Sequence, residues 1–230
     1  MGYYSEKLAG RRLRRCYDIA SARVKQYLQA EIDHVLSGIS PEDSVLELGC
    51  GYGRVTCEMA AAAKRAVGID TTMESLQLAA ALMSEKHTCD FLMMDAVQMA
   101  FPDNIFDLTA CVQNGICAFG VDPQALLREA VRVTRPGGRI LFSSYSHKFW
   151  DHRLQWFERQ SEEGLLGAID YRRTGDGVIA CRDGFRAGLM GEEELRSLCG
   201  KIGLFPLFRE VDQSSLFCEL KKPRMADRKI

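Results

Sequence analysis

Apolar positions along the chain follow two periods. In "RVKQYLQAEIDHVLSG", Val24, Tyr27, Leu28, Ile32, Val35 and Leu36 recur three or four residues apart, which predicts one buried helical face that Gly38 ends. Short apolar runs then alternate with helical patterns. Strands are predicted over 44–49, 65–70, 89–95, 105–113 and 139–146, helices over 54–63, 73–86 and 123–134, and a turn at "RPGG", 135–138. That rhythm predicts a parallel sheet covered on both faces. After residue 146 it changes. A helix is expected to carry Phe149, Trp150, Leu154 and Phe157, followed by two turn signals at Gly175–Asp176–Gly177 and Asp183–Gly184. A last helix at 192–203 and the runs "FPLFREV" and "SSLFCELK" complete the chain, the latter two as an antiparallel pair closing one sheet edge.

Composition narrows the functional classes. Over 230 residues the formal net charge is −1, which gives no field favouring nucleic acid or an anionic membrane. Basic residues cluster in "RRLRR", Arg11 to Arg15, and in the tail "KKPRMADRK", both read as solvated segments. The nine cysteines are scattered with no Cys-x-x-Cys pair, so no metal site is expected. Neither a signal-peptide core nor a membrane-spanning apolar run is visible, so a soluble protein of a reducing compartment, cytoplasmic, is expected.

The densest signal is "VLELGCGYGR", Val45 to Arg54, with glycines at 49, 51 and 53. In a doubly wound sheet this turn lies beyond the end of the first strand, where ligands bind. Gly49 permits a sharp exit, Gly51 a close approach of ligand to backbone, and Gly53 a helix start tight against the sheet. Asp70, at the end of the second strand, suits the two hydroxyls of a ribose. Dinucleotide sites use Gly-x-Gly-x-x-Gly, whereas position 54 here is Arg. Glu47 would face a pyrophosphate with like charge and is better matched to an amino group.

On these residues the chain resembles the class I S-adenosylmethionine-dependent methyltransferases, in their broad small-molecule "methyltransferase type 11" group, over roughly Ser44 to Ser146. "VLELGCGYGR", "VGIDTT", "LMMDAVQMAFPDNIFDLTACVQNGICAF" and "REAVRVTRPGGRILFSS" are similar to the family's motifs and follow the same order. The resemblance implies an α/β fold: a doubly wound seven-stranded, mostly parallel Rossmann-like sheet. It implies an N-terminal helical lid and a β-hairpin insert after the fifth strand. One domain over 1–230 is expected, with the lid at 1–38, a cofactor-binding core at 44–146, a substrate-side helix and insert at 147–190, and a closing helix with antiparallel strands at 191–222. S-adenosyl-L-methionine is the implied cofactor and a small molecule the implied acceptor. Cofactor contacts are implied for Glu47, Gly49, Cys50, Gly51, Gly53, Asp70 and Thr71, for Asp95 and Ala96 at the adenine, and for Asn114 beside the sulfonium methyl. The base-methylating branch carries Asn-Pro-Pro-Tyr at that point. Asn-Gly-Ile-Cys here speaks against a nucleic-acid acceptor.

The acceptor side is less defined. His147 and Tyr145, at the end of the fifth strand, are the candidate catalytic residues, and Tyr3 and Tyr4 the lid residues expected to reach the methyl donor. Arg172, Arg173, Arg182 and Arg186 of the insert are candidates for holding an anionic substrate, against a solvated hairpin. Cys111 and Cys117, flanking the fourth motif, are read as packing thiols in preference to a site for a soft ion. A cofactor-binding protein without turnover and a nicotinamide-dependent oxidoreductase remain open, as does the oligomeric state.

Overall fold

A computed structural model describes residues 3–83 and 89–224. Two helices, α1 (Tyr3–Lys7) and α2 (Gly10–Asp18), precede α3 (Ala22–Leu36). The side chain of Ser21 caps α3 by accepting from the Val24 N–H. Its buried face is Val24, Tyr27, Leu28, Ile32 and Val35, with Glu31 among them.

The alternating region folds as β1 (Ser44–Leu48), α4 (Arg54–Ala62), β2 (Arg65–Asp70), α5 (Met73–Leu82), β3 (Cys89–Met93), β4 (Phe106–Cys111), α6 (Gly115–Ala118), α7 (Pro123–Val133) and β5 (Thr134–Tyr145). Asp122 accepts from the N–H groups of Gln124 and Ala125, and Pro123 stands at the first turn, so α7 starts sharply. A 3₁₀ turn (His147–Phe149), α8 (Trp150–Glu162), a two-stranded ribbon of β6 (Ile179–Ala180) and β7 (Arg186–Ala187), α9 (Glu192–Gly200), β8 (Leu207–Val211) and β9 (Ser215–Lys221) follow.

The main sheet has seven strands in the order β3-β2-β1-β4-β5-β9-β8. Pairings from β3 to β5 are parallel, and β9 and β8 join antiparallel. Strands β1 and β4 are nearly wholly buried, because helices cover both faces. The strand order reverses between β1 and β4, and a crevice opens there beyond their carboxyl ends.

Three local expectations are revised. "RPGG" is no separate turn but the first part of β5, where Phe106 pairs with Thr134 and Leu108 with Arg139. One residue on β4, Asp107, thus lies opposite four on β5, 135–138. Gly137 takes φ +84° and donates its N–H to the carbonyl of Lys222 at 2.7 Å, so the bulge is held by the chain beyond β9. Helix α5 ends at Leu82; residues 84–86 of the predicted helix lie outside the described residues. The buried stripe of α8 is Arg153, Trp156, Phe157 and Gln160, so Trp150 and Leu154 sit on its margin. No helix among the described residues is long and apolar enough to cross a membrane.

Candidate active site

A cavity of about 570 Å³ occupies the crevice. Its floor is the turn after β1. Gly49, Gly51 and Gly53 all have positive φ, and Gly49 N–H and Cys50 N–H both donate to the carbonyl of Ile69. A Cβ on Gly49 would strike the Phe119 ring, and one on Gly53 would strike Phe91. At Gly51 it would meet only Leu13 of α2, at 3.0 Å, so that backbone alone of the three faces the cavity's open side. Gly49 and Gly51 line the cavity; Gly53 packs behind it.

Asp70 is held by the turn it serves. Its Oδ2 accepts from Gly51 N–H at 3.0 Å and its Oδ1 from Thr72 N–H at 2.8 Å. Each oxygen keeps a lone pair for a ligand hydroxyl. Asp70, Thr71, Thr72, Asp95 and Ala96 make up one end of the cavity.

Glu47 is 4% exposed and accepts a hydrogen bond from the Thr56 hydroxyl. Burial pushes its carboxyl up to about 7, against the Thr56 bond and the nearby Arg54 charge, which favour the carboxylate. Arg54 also lines the cavity. Its guanidinium lies over the Tyr17 ring at 5.3 Å, one nitrogen donates to the Leu28 carbonyl at 3.4 Å, and buried Nη2 has no partner.

The opposite wall comes from the N-terminal helices and α8. Tyr4, Leu8, Leu13, Cys16 and Tyr17 line it together with Tyr145, Trp156, Phe157 and Gln160. The N-terminal helices are tied to both flanks. Gly10 N–H donates to Ser75 Oγ at 3.0 Å, Arg12 to the carbonyls of Gly164 and Leu165, and Trp156 Nε1–H to the Cys16 carbonyl at 2.8 Å. Arg15 pairs with Glu163 at 2.8 Å.

The remaining sequence candidates separate here. Cys50 lines the cavity, with burial raising its thiol. Tyr4 lines it as well; Tyr3 instead donates to Asp183 Oδ2 at 2.6 Å and packs edge-on against Phe185. Tyr145 lines it, with burial raising its phenol. His147 is exposed in the 3₁₀ turn, outside the lining.

Asn114 is turned away. Its amide donates to the Gly188 carbonyl at 2.9 Å, and its Oδ1 accepts from Ser144 at 3.1 Å. The residue on the cavity is its neighbour Gln113, which takes φ +55° and accepts from the Tyr17 hydroxyl at 2.7 Å. Buried Glu31 accepts the Gln113 N–H and fixes that bend. The insert arginines at 172, 173, 182 and 186 are exposed and outside the lining. Arg153 of α8, 1% exposed, is the buried arginine on this side. The helical period held that signal, since 149, 153, 156, 157 and 160 fall on one stripe. Among the described residues no group of three metal-binding side chains occurs.

Residues 46–142 match a family model described as "Methyltransferase domain". A malonyl-[acyl-carrier protein] O-methyltransferase of Serratia marcescens is 32% identical over 131 residues, covering 56% of this chain and 48% of that protein. A demethylmenaquinone methyltransferase of Mycolicibacterium paratuberculosis is 34% identical over 113 residues, covering 47% and 44%. The chain thus spans about half the length of these relatives. The magnesium protoporphyrin IX methyltransferase of Synechocystis PCC 6803, solved with S-adenosylhomocysteine bound, superposes with TM-score 0.65 at 16% identity, covering 96% of both chains. At that identity the likeness concerns the fold.

Proposed function

We propose that the chain is a class I S-adenosylmethionine-dependent methyltransferase, whose cavity binds S-adenosylmethionine and transfers the methyl group to a small-molecule acceptor; the match of residues 46–142 and the likeness to named methyltransferases support this reading. The observation that carries this reading is the pairing of Glu47 and Arg54 on one stretch of the lining. A buried carboxyl pushed up to about 7 has no full cationic partner, and a buried guanidinium nitrogen has no acceptor. Together they complement the α-amino and α-carboxylate groups of a methionine moiety. Gly51 leaves its backbone open, and Asp70 offers free lone pairs to a ribose. Asp95 and Ala96 line the space beside it for an adenine. The residues present therefore fit the cofactor.

When bound, S-adenosylmethionine supplies an electrophilic methyl group on a sulfonium. The chain's part is to hold, orient and exclude water. Glu47, Arg54 and Asp70 fix both ends of the ligand, so the reacting carbon points to one place. Leu8, Leu13 and Tyr17 close over it, which removes water from the path between donor and acceptor. Tyr145 serves as a wall of the acceptor space.

Calorimetric titration with S-adenosylhomocysteine and with NAD tests the reading. Binding of the former alone is expected, followed by transfer of labelled methyl groups to an acceptor. Binding of NAD instead would overturn it. Cofactor binding with no turnover on any acceptor would leave a cofactor-binding protein.

A further inference from the structure

The wall facing the glycine turn is chemically one-sided. Tyr4, Tyr17, Tyr145, Trp156 and Phe157 make it aromatic. Several of their polar tips are already used: Trp156 Nε1–H donates to Cys16, and the Tyr17 hydroxyl to Gln113. Besides the Tyr4 and Tyr145 hydroxyls, the wall offers a ligand ring faces and edges, suited to a flat, largely apolar body.

One amide breaks that surface. Gln160 is 3% exposed and lines the cavity, yet its side chain makes no hydrogen bond among the described residues. Its amide meets the cavity, where a ligand oxygen can take the place of water. Nearby, Gln113 Nε2 is buried without an acceptor. Both amides offer N–H groups to a ligand oxygen.

Charge points the same way. Carboxylates in the described lining are Glu47, Asp70 and Asp95, all on the strand-end side. Behind the aromatic wall lies Arg153, its guanidinium 4.2 Å from the Tyr145 ring centroid. It donates to the carbonyls of Gly177, Ala187 and Gly188, its Nε has no partner, and it forms no ion pair among the described residues. A buried cation without a counter-ion raises the potential at the wall it supports. An ammonium is repelled there and an oxyanion is attracted. Cys16, its thiol pushed up to about 12 by burial, supplies no base.

Resting on the methyltransferase reading, we propose that this end of the cavity takes a flat arene bearing an acidic hydroxyl, whose oxygen is the methyl acceptor. Since no carboxylate lines that end, the hydroxyl gives its proton to solvent water. The oxygen lone pair forms the O–CH₃ bond, and the electron pair of the breaking C–S bond returns to sulfur, leaving a neutral ether and a neutral thioether. Gln160 binds the acceptor's oxygen, and Arg153 is a positioning residue acting through Tyr145.

The test is binding to the full chain saturated with S-adenosylhomocysteine, whose sulfur is uncharged, so that any charge preference belongs to the protein. At pH 8, 4-nitro-1-naphthol, 1-nitronaphthalene and 1-naphthylmethylamine are titrated by calorimetry. The naphthol is expected to bind about tenfold tighter than either of the others, the gain of one charge-assisted hydrogen bond. Gln160→Leu is expected to cut that advantage about threefold or more and leave 1-nitronaphthalene unchanged. Arg153→Met is expected to do the same, and should it fail to fold, the unmodified chain and Gln160→Leu still decide. An amine bound as tightly as the naphthol, or a Gln160→Leu chain with the full naphthol preference, overturns the proposal. Failure to bind S-adenosylhomocysteine at all would instead overturn the reading beneath it.

Discussion

If Glu47 receives the ligand's ammonium, cofactor binding must release a proton at mildly acid pH. Burial raises the carboxyl to about 7 in the free chain, so at pH 6 it is mostly protonated. An ammonium beside it favours the ionised form, and the proton leaves on binding. With one group of pKa about 7, the ionised fraction at pH 7.5 exceeds that at pH 6 by about eightfold, and the dissociation constant for S-adenosylhomocysteine should weaken by about that factor over the interval. Above pH 7.5 the ligand's amino group begins to contribute, so the comparison stops there. Calorimetry at pH 6 in two buffers of different ionisation enthalpy should count about 0.9 proton released per ligand bound. Glu47→Gln should weaken binding and flatten the pH dependence. The sign for stability is opposite to that of an ion-paired carboxylate. The folded chain holds more protons than the unfolded one between pH 4.5 and 7, so this group's contribution falls as pH rises through that window. The loss reaches roughly 3 kcal/mol, and buried Glu31, also raised by burial, adds in the same direction. A dissociation constant flat from pH 6 to 7.5 in the unmodified chain would refute the assignment of Glu47 to the amino group.

Further substitutions probe the remaining contacts. Asp70→Ala removes a carboxylate placed by Gly51 and Thr72; a loss of about 1.5–3 kcal/mol, or tenfold and more in S-adenosylhomocysteine affinity, is expected by calorimetry. Gly51→Val puts a branched side chain at φ +53°, toward Leu13, and should abolish binding while circular dichroism still reports a folded sheet. Deleting residues 1–15 removes Tyr4, Leu8, Leu13 and the Arg12 bonds. The shortened chain should stay folded, but S-adenosylhomocysteine should raise its Tm less than it raises that of the full chain; an equal rise would dismiss the lid.

The core was legible because its signals are local. Glycine spacing sets the turn, and near-continuous apolar runs such as Val45–Leu48 can only be strands buried on both faces. Asp70 follows from its place one strand later. What local reading lacks is the direction of a side chain at an irregular backbone. Asn114 and Gln113 both have positive φ, and which one faces the cavity depends on Glu31, 82 residues earlier, accepting the Gln113 N–H. The bulge in β5 likewise depends on Lys222, far along the chain, meeting Gly137. On α8 the difference has another source. The sequence expectation names the apolar Phe149, Trp150, Leu154 and Phe157, whereas the buried stripe also contains Arg153 and Gln160, which a hydrophobic pattern scores as surface.

The family match covers only one side of the cavity. The match ends at residue 142, within β5, and everything that closes the far side of the cavity lies outside it. On the proposed reading the glycine turn, Glu47 and Asp70 would bind the cofactor, and their geometry follows from strand ends. The opposite wall is assembled from α1, α2 and α8, joined by Trp156 to Cys16 and Arg12 to Gly164. Neither part encloses this side of the cavity alone: α8 supplies Gln160 and the support of Arg153, and the N-terminal helices supply Tyr4 and Tyr17. On the proposed reading, acceptor choice would then reside in contacts between segments about 140 residues apart, where substitutions should change the substrate without touching the cofactor.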